Sequence, residues 1–207
     1  MIELNQERKI WKQGFKVVAG LDESGRGPIA GPVTAAALVV RRDEWETPQS
    51  LKEVADSKEL SRSQREKIYK ELNDCSEIEW ATGRVSSTVI DRVNILEATK
   101  LAMERAINNL NEEVNFLMID GNFKIDSSVR QQSYIGGDRQ IFSIAAASII
   151  AKVSRDRAMR RYNKKYPGYH FDKNKGYPTA LHKQKVKEKG PCEIHRKTFN
   201  PVDSVVE

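Results

Sequence analysis

The chain has 207 residues, 39% hydrophobic and 31% charged, with a net charge of +6, a balance that excludes a disordered polymer. No run approaches the roughly 20 apolar residues of a membrane span, and the polar stretch Met1–Lys16 lacks an apolar signal core. Cys75 and Cys192 lie far apart and His170, His182 and His195 have no ligand spacing, which excludes a zinc knot and a redox pair and leads us to expect a cytoplasmic protein.

Taken in chain order, Val17–Leu21 is a short apolar run ending in Asp22-Glu23. Ser24–Pro32 is dense in glycine and proline, and Val33–Val40 is a second apolar run. Strand, glycine-rich connection, strand is the expected order. Ser61 with Gln64 has the capping-box pattern and predicts a helix to about Leu72. Ile78–Val85 reads as a strand. Asn94 with Glu97 repeats the capping pattern before a helix to about Leu110, its apolar face including Leu96, Met103, Ala106 and Leu110. Phe116–Ile119 reads as a buried strand ending at Asp120, and Ser133–Ile135 as a short strand before Gly136-Gly137-Asp138. Ile141–Tyr162 is helical, apolar first and then basic. From Tyr166 to Pro201 the chain is basic and broken by Gly and Pro. Alternating strands and helices make the fold class α/β.

Charge is unevenly spread. Lys152–Lys197 holds 15 Lys+Arg and 4 Asp+Glu, hence +11, so the rest of the chain carries −5 of the +6 total. A basic C-terminal third beside an acidic body fits a polyanion-binding surface near a carboxylate site; a merely solvated basic face is the alternative.

Any metal must be held by carboxylates, which favours magnesium or manganese over zinc. Three acidic positions follow strands: Asp22-Glu23, Asp120 and Asp138. Adjacent strand residues point to opposite faces, so Asp22 and Glu23 share one site only if the strand stops or bulges there, and Gly25 and Gly27 supply such a break. On spacing alone this is equally a solvated acidic turn or half of a metal site.

The string Gly20-Leu21-Asp22-Glu23-Ser24-Gly25-Arg26-Gly27-Pro28 resembles the signature of the ribonuclease HII family. Further matches follow in order: Asp56–Ser61, Ile119–Asn122, Gly137-Asp138 with Ala146–Arg157, Tyr166–Tyr169 with Lys175–Tyr177, and His195–Pro201. The resemblance implies a ribonuclease H-like fold: a central mixed β-sheet flanked by helices, with a helical C-terminal segment. It implies an N-terminal extension over 1–16, a catalytic domain over 17–165 and a basic substrate-binding segment over 166–207 packed on it.

By the same resemblance Asp22, Glu23, Asp120 and Asp138 are the metal-binding catalytic acids, holding two Mg²⁺ or Mn²⁺ ions. Asp156, flanked by Arg155 and Arg157, is read instead as part of a structural ion pair. The Gly25-Arg26-Gly27 loop would meet the ribose 2′-hydroxyl, and Tyr177 the sugar of the next nucleotide. Lys58, Lys152, Lys175, Arg26 and Arg196 are candidates for phosphate contacts or structural ion pairs. The implied partners are RNA–DNA hybrids and DNA duplexes with embedded ribonucleotides, cut to 5′-phosphate and 3′-hydroxyl ends, by a monomer. Gly-Arg-Gly rather than Gly-Thr-Gly favours this family over ribonuclease HIII. Gln140, His170, Asn174 and Pro178 depart from the expected pattern. A hybrid-binding module without catalysis is the rival reading, as is a nuclease that needs no 2′-hydroxyl.

Overall fold

The computed structural model describes residues 2–41, 45–51, 54 and 60–206. The Asp56–Glu59 part of the second motif, with Lys58, lies outside the described residues.

The sheet has the order β3-β2-β1-β4-β5, built from β1 (Val18–Ser24), β2 (Val33–Val40), β3 (Ile78–Val85), β4 (Phe116–Asp120) and β5 (Arg130–Tyr134). β1, β2 and β3 pair antiparallel, whereas β4 runs parallel to both β1 and β5. The sheet is therefore mixed. Parallel pairing puts the C-terminal ends of β1 and β4, with Asp22 and Asp120, at one edge.

Helices cover both faces. α4 (Phe142–Lys165) packs on one face of the central strands, through Ala145, Ala146, Ile149, Ile150 and Val153. Gly20 permits its close approach, because a Cβ there would stand 2.4 Å from the Ser143 carbonyl carbon. α3 (Ser87–Asn108) covers the opposite face with Ala98, Ala102, Met103 and Ala106. α2 (Arg62–Asp74) opens on the expected capping box between Ser61 and Gln64. It is tied to α4 by Glu66, which accepts from Arg157 at 2.7 Å and Arg160 at 2.9 Å.

Several elements depart from expectation. β1 does not stop at Asp22-Glu23 but pairs in regular register through Ser24, so the glycine break comes after both acids. β5 starts at Arg130 and ends at Tyr134, leaving Ile135 81% exposed. Asn94 is a cap inside a longer helical run. Its Oδ1 accepts from Leu96 N at 2.9 Å and Glu97 N at 3.2 Å, and its φ of 69° kinks the helix after a first stretch, Ser87 to Val93, capped by Ser86. Leu96 lies only half-buried, and Ile95, Ala98 and Thr99 take the inward positions.

At the N-terminus, α1 (Asn5–Trp11) buries Ile10 and Glu7. Glu7 accepts from Ser143 N at 2.8 Å, so a carboxylate from α1 caps α4, whose own N-cap residue Ile141 offers no side-chain bond.

The C-terminal segment carries the short α5 (Phe171–Asn174), α6 (Ala180–Lys189) and α7 (Asp203–Val206). It is nailed to the glycine loop by main-chain bonds: Ile29 N to Gly176 O, Gly31 N to Ile194 O, and Arg196 N to Ile29 O, each 2.8–2.9 Å. His182 and His195 are buried within it, their Nε2 atoms 3.1 Å apart. His182 Nδ1 faces the Tyr177 carbonyl at 2.8 Å and so must donate; His195 Nδ1 accepts from Cys192 N at 2.9 Å. The shared bond then runs from His195 Nε2–H to a neutral His182. Among the described residues no helix is long and apolar enough to cross a membrane.

Candidate active site

Three of the expected acids meet. Asp22 from β1, Asp120 from the end of β4, and Asp138 from the turn after β5 offer oxygens within 4.8 Å of one another. Asp22 and Asp138 are buried and Asp120 half-buried. The turn is held in place by Asp120 itself, whose Oδ1 accepts from Gly137 N at 2.8 Å. Asp22 Oδ1 accepts from Glu23 N at 2.7 Å, and the Ser148 hydroxyl of α4 also bonds its carboxylate.

Glu23 stands outside this tight group. The strand's period of two sends it away from Asp22, and it lies 3.4 Å from Arg26. It still lines the same cavity, of about 510 Å³, with Asp22, Asp120, Gly25–Gly27, Lys152 and Tyr177. Both acids are held protonation-prone. Burial pushes the Asp22 carboxyl well above its usual range, and the charges of Glu23 and Asp120 add to this. Burial likewise raises Glu23, against the opposing pull of Arg26.

Asp156 stays out of the cluster, but its ion-pair partner is neither flanking arginine. It pairs with Lys152 at 2.8 Å, one turn back on α4. Arg157 turns to Glu66, and Arg155 turns inward.

Arg155 and Arg196 are both fully buried. Arg155 donates to the carbonyls of Pro32, Ala30 and Lys175 at 2.8–3.1 Å. Arg196 donates to Gly31 at 3.0–3.1 Å, to Arg26 at 2.8 Å, and to Gly25. Fully buried, Arg196 is thus not a phosphate contact, and among the described residues it has no carboxylate ion pair. Burial lowers Arg155 to about 10 and Arg196 to about 9, which leaves both charged near neutrality. Together they fix the backbone of the loop from below. Gly25 is required there: its φ is +104°, and a Cβ would fall 2.1 Å from Arg155 Nε. Gly27 faces open space, and a Cβ there would meet only the Tyr177 ring, at 3.9 Å.

Tyr177 is 40% exposed at the cavity rim, with Lys152 and Arg155 each 5.9 Å from its ring centre. Its approach depends on two left-handed residues, His170 (φ 58°) and Lys175 (φ 52°), and on buried Asn174. Asn174 donates to Tyr169 O at 2.6 Å and accepts from Gly176 N at 2.7 Å. Lys175 Nζ bonds the Asp172 carbonyl. Sequence reasoning missed Ser148 and Arg65 as cavity residues; Ser148 is one turn before Lys152 on α4, a spacing that would have marked it.

The donor set fits a hard divalent cation: three carboxylates, with no Cys or His among the described residues of the group. Like charges in a half-closed cavity repel unless such a cation binds them. Acids gathered at one edge of a mixed, helix-flanked sheet define the metal-dependent nucleases of ribonuclease H-like architecture. Within that class, the family model for ribonuclease HII matches residues 19–202, and the chain belongs to that family. The ribonuclease HII of Endomicrobium trichonymphae is 43% identical over 97% of this chain and 93% of its own length. That of Syntrophobacter fumaroxidans is 47% identical over 96% of this chain and 83% of its own. The ribonuclease H2 crystal structure from Pyrococcus horikoshii matches with a TM-score of 0.73 and 26% identity, covering 91% of this chain and 96% of its own. The protein is therefore a hydrolase of the ribonuclease H type, which cleaves RNA in RNA–DNA hybrids.

Proposed function

We propose that this chain hydrolyses the RNA strand of hybrids and also nicks on the 5′ side of single ribonucleotides embedded in duplex DNA, leaving 5′-phosphate and 3′-hydroxyl ends. The observation that carries this is the meeting of Asp22, Asp120 and Asp138, the first two of which line one cavity with the Gly25–Gly27 loop and Tyr177.

Asp22, Glu23, Asp120 and Asp138 would hold the ions, Mg²⁺ or Mn²⁺. When bound, a pair of such ions activates water and stabilises the leaving oxygen. The chain's own residues do the rest. The rigid loop presents backbone groups of Gly25, Arg26 and Gly27 close to the sugar, where the 2′-hydroxyl alone distinguishes RNA from DNA. Tyr177 offers an aromatic face to the next sugar, disfavouring a bulkier ribose. The basic segment over 166–207 holds the duplex through its phosphates. The role that follows is removal of misincorporated ribonucleotides and RNA primers in the cytoplasm.

The test is a DNA duplex carrying one ribonucleotide, incubated with Mg²⁺ or Mn²⁺ and mapped at nucleotide resolution. A single nick 5′ of the ribonucleotide, absent in Asp120→Ala, is expected. Full cutting by that variant, or equal cutting of an all-DNA duplex, defeats the proposal.

A further inference from the structure

A second concavity opens on the same edge of the sheet as the acids, two strands away. Ser24 at the end of β1 pairs with Thr34 of β2, and Val33 beside it pairs with Val85 at the end of β3. Two strand spacings put this hollow roughly 10 Å from β1. Its volume is about 380 Å³, against roughly 30 Å³ for one water, so a hydrated phosphodiester fits. Pro32 at the end of the glycine loop, Ser86 at the start of α3 and Tyr162 of α4 wall it. Arg84 of β3, Arg105 of α3 and Arg161 of α4 line it from three separate elements. A neighbouring hollow shares Arg84 and Arg105 and adds Asn108 and Asn109. Among the described residues no Asp or Glu lines either one.

Guanidiniums gathered without counter-charge repel one another. All three are exposed, and among the described residues none is in an ion pair. Arg41 meets Glu79 at 3.2 Å and Arg157 meets Glu66 at 2.7 Å, whereas exposed Arg92 and Arg130 stand singly without an ion pair among the described residues; here three unpaired guanidiniums converge on one hollow. Arg105 donates to the Arg84 carbonyl at 2.6 Å, which keeps its guanidinium at the wall of the hollow. Two of the three arginines come from the part of the chain that is net acidic, so bulk charge does not account for the cluster. Planar guanidiniums match the geometry of phosphate oxygens.

We propose that this arginine hollow is an anion site for a backbone phosphodiester of the bound duplex. At 3.4 Å per base step it lies roughly three steps from the scissile linkage. The duplex is then gripped by β3 and α3 as well as by the basic C-terminal third. This rests on the nuclease reading above.

The test compares wild type with the double variants Arg84→Gln/Arg161→Gln and Arg84→Lys/Arg161→Lys. Hybrid cleavage in Mg²⁺ and equilibrium binding of the same hybrid in EDTA are followed against KCl concentration. Both sites are exposed, so the fold is retained. The glutamine pair is expected to raise KM and Kd about tenfold, the equivalent of 1.4 kcal/mol, with kcat within about twofold. It should flatten the log–log salt slope by about 1, for the one phosphate no longer neutralised. The lysine pair restores the slope. Wild-type Kd and slope in the glutamine pair overturn the proposal and leave the nuclease reading intact. Absence of cleavage by wild type defeats the nuclease reading instead, and the binding arm still decides the hollow.

Discussion

At the residue scale, Asp22 is destabilising where it stands among the clustered aspartates. Asp22 is raised by burial first and by its neighbours' charges second. A carboxylate whose pKa is raised on folding opposes the fold above its ordinary pKa, so the metal-free protein is weakened at neutral pH and eased on acidification. We expect Asp22→Asn to raise the metal-free melting temperature by about 2 °C or more, the equivalent of roughly 1 kcal/mol in a chain of this size. Cleavage should fall at least about 10³-fold. Calorimetry in EDTA beside a cleavage assay checks both. The two loop glycines should separate as well. Gly25→Ala meets the Arg155 side chain at a left-handed position and should cost about 1–3 kcal/mol, whereas Gly27→Ala should leave the denaturation midpoint near wild type. Asp22 and Asp120 were legible because each follows an apolar run, whereas Asp138, after the polar strand Arg130–Tyr134 and a Gly-Gly turn, was marked by the family resemblance. Burial of Arg196 was not, since a guanidinium that bonds only to carbonyls has no sequence partner to betray it.

At the element scale, helices with their own caps were easy to read and borrowed caps were not. The Ser61/Gln64 box starts α2 where expected. α4, by contrast, begins under a carboxylate 136 positions away, Glu7 of α1. No local pattern announces that bond. Replacing Glu7 with alanine should cost about 1–2 kcal/mol, the usual effect of removing an N-cap, read as an earlier urea midpoint with an unchanged slope. The helical stretch ahead of Asn94 was hidden for a related reason: a strong cap signal reads as a beginning, and only the tertiary packing of Ile90 shows that helix precedes it. β1 was expected to break at its acids; cross-strand pairing with Ala36 and Ala35 carries it past them.

At the scale of the whole molecule, order along the sheet decides function. Parallel β1 and β4 bring Asp22 and Asp120 together from residues about a hundred positions apart, and the C-terminal segment closes the cavity by clasping the glycine loop. Ions that bind only the folded form should stabilise it, by about 2.7 kcal/mol at a hundredfold excess over Kd. Mg²⁺ or Mn²⁺ should therefore raise the melting temperature of wild type, and much less that of Asp120→Asn. The paired imidazoles of the C-terminal segment set a boundary of a different kind. Each hydrogen bond in the row from Cys192 to Tyr177 has one assigned proton, and a further proton would set two N–H groups head to head. Burial and the neighbouring His182 depress His195 to about 4. A histidine lowered by folding lends its full stability above its free value of about 6.5 and gives it up as pH falls toward 4. From pH 7 to 5 the loss approaches about 2 kcal/mol, or roughly 4–8 °C. His195→Gln should melt with a shallower dependence on acidity, so the clasp over the catalytic cavity carries its own acid limit.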